Sequence, residues 1–365
     1  MYKTVFILGA GASADAGLPV MANFLDRARD YFTQGLADPR EEEAFKKVFE
    51  AIHELKGITF KSSLDLNNIE AVFSAIDMGL LLGKIGDIPE GELEIIYGNI
   101  QKLIAVTIDL STRVNVLEKP SKQLEGSYYN FVSIIKDFFL EKALTSRNSA
   151  LYPLPTIITF NYDIALDYAF HLHGIPIDYC TTTSSGKRQI KLIKLHGSVN
   201  WGYSDKHDQV FYWELEDFLE KKGITRTESS PIRIGSLISF EKDANGDSLK
   251  GPFIVPPAWS KREYHQKIQP VWRAGARALS EAEAIYVIGY SLPETDVFFK
   301  YLFSLSTFSD ASIRRFCVFD LNKSVEDQFI KLLGPGLGTN ERFQFHKVDF
   351  EHARPILIND LKKHF

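Results

Sequence analysis

An asparagine and a histidine stand in two short polar signatures, each at the end of a mostly apolar run: Thr159-Phe160-Asn161-Tyr162-Asp163 and Leu195-His196-Gly197. A third apolar run, Val5-Phe6-Ile7-Leu8, ends in a glycine turn, Gly9-Ala10-Gly11-Ala12-Ser13. Glycines directly after a buried strand let the backbone turn tightly and approach a pyrophosphate, whose charge then meets a helix N-terminus. An asparagine carboxamide hydrogen-bonds a hydroxyl or a water without adding charge. A histidine, with an unperturbed pKa of about 6.5, accepts a proton near neutral pH. Turn, amide and imidazole together point to chemistry on a bound nucleotide. Each also has a plain structural reading. The turn alone is any strand-to-helix turn, asparagine is a common turn former, and a histidine before glycine is usually a capped turn residue.

The elements that must hold these residues are legible as apolar runs. Val5–Leu8, Thr156–Phe160, Ala284–Ile288 and Arg315–Phe319 are short, continuous and apolar, the pattern of strands buried on both faces of a parallel sheet. Lys191–Leu195 is a further short strand. The runs end at Gly9, Asn161, Gly289-Tyr290-Ser291, Asp320 and His196 respectively, and ligands of open α/β sheets bind outside the carboxyl ends of strands. Ala14–Ala16 can begin the first helix. The third glycine of the dinucleotide fingerprint falls on Ala14, which the G/A variant of the pattern permits, and the match alone is weak.

Between the first two strands lies a long helical stretch. Glu41–Leu55, Ile69–Leu82, Glu92–Leu110 and Tyr128–Leu144 place apolar residues at three- and four-residue spacing, with Pro89 and Pro120 where loops fall. Residues 202–257 are polar and mixed, with turns at Gly246 and Gly251. The expected fold is a Rossmann-like, doubly wound, mostly parallel α/β sheet with a large helical insertion. Residues 1–34 and 150–350 would form the nucleotide domain, 35–149 the insertion and 351–365 a C-terminal helix.

Composition narrows the classes. A chain of 365 residues, 45% hydrophobic and 24% charged, is ordinary for a globular protein, and a net charge of -5 leaves no basic footprint for nucleic acid. Two cysteines, Cys180 and Cys317, exclude both a disulfide framework and a four-thiolate zinc site. The histidines show no metal-ligand spacing, so no metal is expected. Trp201, Trp213, Trp259 and Trp272 read as core or interface residues. No stretch approaches the roughly 20 apolar residues of a membrane span, and no signal-peptide pattern precedes the first strand, so a cytoplasmic protein without membrane contact is expected.

The motifs also carry a resemblance. Gly9-Ala10-Gly11-Ala12-Ser13 followed by Ala16-Gly17-Leu18-Pro19 resembles the opening of the sirtuin family, with its Gly-Ala-Gly-x-Ser turn and cofactor loop. Thr159–Asp163 is similar to the sirtuin Thr-Gln-Asn-Ile-Asp, and His196-Gly197 to the sirtuin His-Gly. Gly289-Tyr290-Ser291-Leu292 is similar to Gly-Thr-Ser-Leu, and Asp320-Leu321-Asn322 to the segment that holds the adenosine ribose. The five matches keep the family's order over about residues 5 to 325. The departures matter equally. The four-cysteine zinc module of the deacylases cannot be built from two cysteines, and Val20-Met21-Ala22-Asn23-Phe24 replaces the Asp-Phe-Arg that follows the proline. In this the chain resembles the bacterial sirtuin-like, NAD-consuming proteins of antiviral defence; Val255-Pro256-Pro257-Ala258-Trp259 is similar to that group too.

The resemblance implies NAD as substrate. It implies Asn161, His196 and Asp163 as catalytic residues, Asp163 accepting from the nicotinamide amide. It implies NAD contacts at Gly9, Ala10, Gly11, Ser13, Gly289, Ser291, Asp320 and Asn322. Nicotinamide in NAD is a cationic leaving group, so cleavage needs a positioned ring, a stabilised oxocarbenium-like ribose and a delivered water more than an acid. The expectation is an NAD glycohydrolase that forms nicotinamide and ADP-ribose, an NAD-depleting effector of antiphage defence. It would act as a homo-oligomer, with a separately encoded ATPase or Argonaute as partner. Two alternatives stand beside it: an NAD-dependent protein deacylase using acyl-lysine in place of water, and a non-catalytic NAD- or ADP-ribose-sensing module.

Overall fold

The computed structural model describes residues 2–58, 64–112, 126–146, 152–182, 189–215, 233–235, 242, 246–255, 262–307, 312–338 and 341–364. In chain order its strands are β1 (Thr4–Leu8), β2 (Lys84–Ile85), β3 (Ile88–Pro89), β4 (Thr156–Thr159), β5 (Ile177–Asp178), β6 (Ile190–Lys194), β7 (Trp201–Ser204), β8 (Gln209–Tyr212), β9 (Ala284–Ile288), β10 (Arg315–Phe319) and β11 (Phe343–His346). Seven of them form one parallel sheet in the order β11-β10-β9-β1-β4-β6-β5. The chain builds outward from β1 to one side, then returns to start again at β9 on the other. The point where strand order reverses therefore lies between β1 and β9, where an open α/β sheet forms its crevice.

Register puts the functional residues on one edge. Leu8 pairs with Thr159 and with Ile288, Thr159 pairs with Lys194, and Ile288 pairs with Phe319. The residues that follow, Gly9, Asn161, His196, Gly289 and Asp320, thus leave the sheet at the same level. β1 and β9 are buried along their whole length, which is why both read as unbroken apolar runs.

Helices cover both faces. On one, Phe6 of β1 meets Phe131 at 5.0 Å and Phe139 at 6.2 Å between ring centroids, so the helical segment 127–145 packs directly on the sheet. The C-terminal helix Phe350–His364 joins that layer through Phe350, 5.7 Å from Phe131. On the other, helix Gln269–Ser280 lays Gly275 against Ile193 and Leu195, and helix Val297–Ser306 packs Phe303 5.9 Å from Phe316. Helices Pro39–Ile58, Ile69–Leu82 and Glu90–Ser111 pack mainly on one another. Asn68 caps the second of these by accepting from Glu70 N at 2.8 Å, and Gly83 ends it in the left-handed region at φ 79°.

Several expectations need correction. The ladder stops at Thr159 and Lys194, so Phe160 and Leu195 are the first residues of their loops. The first helical turn is Ala10–Ser13, and Ala14–Ala16 is a 3-10 turn closed by Gly17 at φ 88° rather than the start of a helix. β5 and β11 have no apolar signal in the sequence, because one has two residues and the other is a half-buried edge strand without a continuous apolar run. The polar stretch after Gly202 contains the antiparallel β7–β8 hairpin. Pro120 and Pro256–Trp259 lie outside the described residues. Among the described residues, no helix is long and apolar enough to cross a membrane.

The C-terminal helix is tied to the sheet by charge as well as by packing. Asp360, 6% exposed, accepts from Tyr286 OH at 2.8 Å and Arg315 Nε at 3.0 Å, and pairs with Arg315 Nη2. Asp360→Ala would leave the mostly buried guanidinium without a counter-charge, with Gln344 Oε1 still accepting from it. A loss of about 3 kcal/mol of unfolding free energy is expected, read from urea melts.

Candidate functional site

The glycine turn is built by close approach. Gly9 N donates to Ile288 O at 3.1 Å, and Gly11 N donates to Gly289 O at 2.9 Å. A Cβ on Gly9 would stand 2.5 Å from Gly289 O and from Tyr290 Cα. Gly289, at φ 61°, leaves no more room: a Cβ there would meet Ala12 N at 2.4 Å. The loops after β1 and β9 therefore touch backbone to backbone across the crevice. Ala12 N donates to Gly9 O, so three amides of the turn already have protein acceptors. Packing alone accounts for these glycines.

Asn161 sits against that turn. Its two Nδ2 hydrogens go to Gly9 O and Ser13 Oγ, each at 2.8 Å, with Tyr128 OH a longer, shared contact at 3.2 Å. Because a carbonyl oxygen can only accept, Gly9 O fixes which end of the amide faces the turn. Asn161 Oδ1 receives no bond from any described residue. Ser13 Oγ donates to Asp163 Oδ2 at 2.8 Å, and Ala165 N donates to Asp163 Oδ1 at 2.9 Å. The Ser13 hydrogen being spent on Asp163, the 2.8 Å contact with Tyr128 has the tyrosine as donor. Both Asp163 oxygens are thus engaged by the chain's own donors, and the side chain is buried. Burial pushes its carboxyl above the usual range, while Lys194 opposes the rise. Burial also lifts the Tyr128 hydroxyl far above its ordinary value, so it stays protonated.

His196 is buried at the end of β6, with its ring 5.2 Å from Phe160 and 6.1 Å from Tyr162. Its Nε2 lies 3.2 Å from Asp296 Oδ1, and Tyr290 OH donates to Asp296 Oδ2 at 3.0 Å. Tyr290 in turn stacks on Phe160 at 4.0 Å. A carboxylate on Nε2–H makes Nδ1 the basic nitrogen of the neutral ring and favours the imidazolium once it forms. The segment behind the ring is pinned by backbone bonds: Val255 N donates to His196 O at 2.7 Å, and Ser198 N donates to Phe253 O at 3.0 Å. Gly197 is required there, since at φ 78° its Cβ would lie 2.3 Å from Phe253 O.

The remaining expected contacts lie at the same edge with different surroundings. Gly289 N is spent on Phe319 O at 2.9 Å. Ser291 is exposed. Asp320 Oδ1 accepts from Asn322 N at 2.8 Å, and half-burial raises its carboxyl above the usual range. Asn322 is exposed and accepts from Ser324 N at 3.0 Å. Ala10 lies in the first helical turn beside Ser13. Cys180 and Cys317 are both buried, and burial pushes each thiol to about 12, which leaves neither as a ready nucleophile.

Sequence reading missed Asp296 and Tyr128, which stand against His196 and Asn161. Asp296 follows the Gly289-Tyr290-Ser291-Leu292 signature by four residues, on the first turn after a strand end, and that position was the available signal. Tyr128 carried none, because a tyrosine on an amphipathic helix reads as core.

No protein-family model matches the chain, and no curated protein matches it. Among solved structures it is similar to a Sir2–p53 peptide–NAD+ complex, at 14% identity over 98% of this chain and 92% of that one, with a TM-score of 0.40. It is similar to a Sir2 homolog–NAD complex at 13% identity, over 100% of this chain and 91% of that one, with a TM-score of 0.38. A structure described as the basis for the mechanism and regulation of Sir2 enzymes aligns at 12% identity over 100% and 94%, with a TM-score of 0.42. What the site can do is therefore read from its own geometry.

Proposed function

We propose that this protein hydrolyses the nicotinamide–ribose bond of NAD, releasing nicotinamide and ADP-ribose. The observation that carries this reading is the alignment of Gly9, Asn161 and His196 on one sheet edge at the strand-order reversal, with Asn161 Oδ1 left to accept from a ligand. The resemblance of the five motifs to the sirtuin family supplies the substrate. In this reading the C1′–N bond breaks with its electron pair going to the pyridinium nitrogen, which neutralises the leaving group. Asn161 Oδ1 accepts from a ribose hydroxyl or from the attacking water. The water oxygen bonds C1′, and His196 takes the proton while Asp296 steadies the charged ring. Asp163 and Tyr128 hold Asn161 in place.

The resemblance to defence proteins extends the reading to an antiphage effector that depletes NAD. Unrestrained, such an enzyme would drain its own cell, so the reading includes an off state. Self-association, or a separately encoded ATPase or Argonaute, would relieve it. Undiminished turnover by a dilute monomer would dispose of that part.

The test is nicotinamide release from NAD, with and without an acyl-lysine peptide. Release without peptide is expected. Strict peptide dependence would select the deacylase, and binding of ADP-ribose without turnover in any activated state would select the sensor. Asn161→Ala is expected to lower kcat about a hundredfold with an unchanged melting profile, because Gly9 O keeps Ala12 N as donor.

A further inference from the structure

Lys194, the last residue of β6, is 1% exposed, an unusual place for an ammonium group. Its Nζ donates to Asp163 O at 2.6 Å and to Ser198 Oγ at 2.8 Å, and pairs with Asp167 Oδ2 at 2.8 Å. Two hydrogen bonds and one ion pair thus surround the ammonium. The acceptors belong to three different elements: the loop that carries Asn161, the loop that carries His196, and helix Ala165–Leu172. Ser198 Oγ also donates to Tyr162 O at 3.1 Å, and Val199 N donates to the same oxygen at 2.9 Å. Asp167 is completed by Tyr179 OH, which accepts from Asn200 Nδ2 at 3.1 Å. An apolar side chain would cover this position at less desolvation cost, so stability alone is a weak reason for an ion pair here.

We propose that Lys194 is a positioning residue whose ammonium locks the Asn161 loop to the His196 loop and holds the hydrogen-bond relay to Asn161 in one direction. The inference rests on the NAD-hydrolysis reading. The relay runs from Asn161 Nδ2 to Ser13 Oγ, and from the Ser13 hydroxyl to Asp163 Oδ2. It keeps that direction only while Asp163 is ionised. A protonated Asp163 would donate to Ser13 instead, free the serine hydrogen and loosen the amide. Among the described residues, the charged or titratable groups acting on Asp163 are Lys194 from β6, Asp167 from the following helix and Tyr128 from helix Ser127–Ile135. Only Lys194 is a cation. Its charge opposes the burial that favours protonation, and its effect on Asp163 exceeds that of Asp167. Removing both members of the pair therefore leaves a net rise in the Asp163 pKa.

The test replaces the ion pair and its tyrosine by apolar groups of similar size, Lys194→Met with Asp167→Leu and Tyr179→Phe, so that neither member of the pair is left without the other and the buried Asp163 carboxyl loses its cation. Ser198→Ala is the second variant, since it removes one tether and keeps the ion pair. The triple variant is expected to melt within a few degrees of the parent. It should lose about tenfold or more in kcat with little change in KM, and its acid limb of kcat should move to higher pH. Ser198→Ala should lose about threefold in kcat, with no movement of the limb. A triple variant with the parent's kcat and pH profile would overturn the proposal. So would an unfolded triple variant alongside a Ser198→Ala enzyme of parental kcat. The ring signal of His196 in histidine-labelled protein, assigned by its absence in His196→Gln, reports the positioning without turnover. If the parent leaves NAD intact, the functional reading fails. A ring signal that still shifts in Ser198→Ala and in the triple variant keeps the clamp, and one that does not move overturns it.

Discussion

If the protein hydrolyses NAD as proposed, His196→Ala is expected to lower kcat by about 10²–10⁴, the range lost when a positioned general base is removed, while leaving the fold intact. The ring is buried at the end of β6, and the backbone bond from Val255 N to His196 O does not depend on the side chain. Asp296→Asn should follow the same direction with a smaller loss, about tenfold to a hundredfold. An amide can still sit 3.2 Å from Nε2, yet it can present its NH₂ as readily as its carbonyl and cannot stabilise an imidazolium. Tyr290→Phe removes only the hydroxyl on Asp296 Oδ2 and should cost less than either. Nicotinamide release by chromatography, beside a thermal melt of each variant, checks the series. A His196→Ala enzyme with parental kcat would remove the histidine from the chemistry altogether.

Gly289→Ala is expected to be among the most destabilising single-methyl additions in the chain, and Gly9→Ala close behind. At Gly289 two costs add. The backbone lies at φ 61°, a conformation that costs an L-residue about 1 kcal/mol, and the new Cβ would stand 2.4 Å from Ala12 N and 2.6 Å from Gly11 C. Overpacking against backbone, which cannot swing aside as a side chain can, adds roughly 1–3 kcal/mol. Gly83→Ala separates the terms: it shares a positive φ of 79° but has open space around the Cβ. It should lose only about 1 kcal/mol in urea melts. Equal losses at Gly83 and Gly289 would show that the contact between the β1 and β9 loops is slack.

These two results bear on what the glycine signature is for. In the sequence Gly9-Ala10-Gly11 reads as a phosphate cradle. In the structure the amides of Gly9, Gly11 and Ala12 are spent on Ile288 O, Gly289 O and Gly9 O, and the missing side chains let two loops meet. A pattern of glycines records that something comes close. Whether that something is a ligand or another backbone is not written in the pattern.

The fold was legible where burial was complete. β9, β1 from Val5 and β10 from Phe316 are apolar because parallel strands bury both faces, and the residues after them mark the ligand edge of the sheet. The edge strands were not legible. β5 has two residues and β11 is half-exposed, so neither has the packing demand that forces an apolar run. The pair Asn161 and His196 was legible as types at strand ends. Their supports were not: Asp296 reaches His196 from the loop region beyond β9, and Tyr128 reaches Asn161 from a helix that looks like any other amphipathic helix.

By itself the sequence determined that five polar signatures follow apolar strands, since strand burial and strand ends are local properties of composition. Tertiary structure alone decided which of those ends are neighbours. Sheet order sets β9 beside β1 and β6 beside β4, and register levels their ends. That arrangement turns Asp296 into the partner of His196, and it turns Lys194 from one more residue of a strand into the clamp between two loops. Such pairings are made by the order in which distant strands hydrogen-bond, which no short window of residues contains.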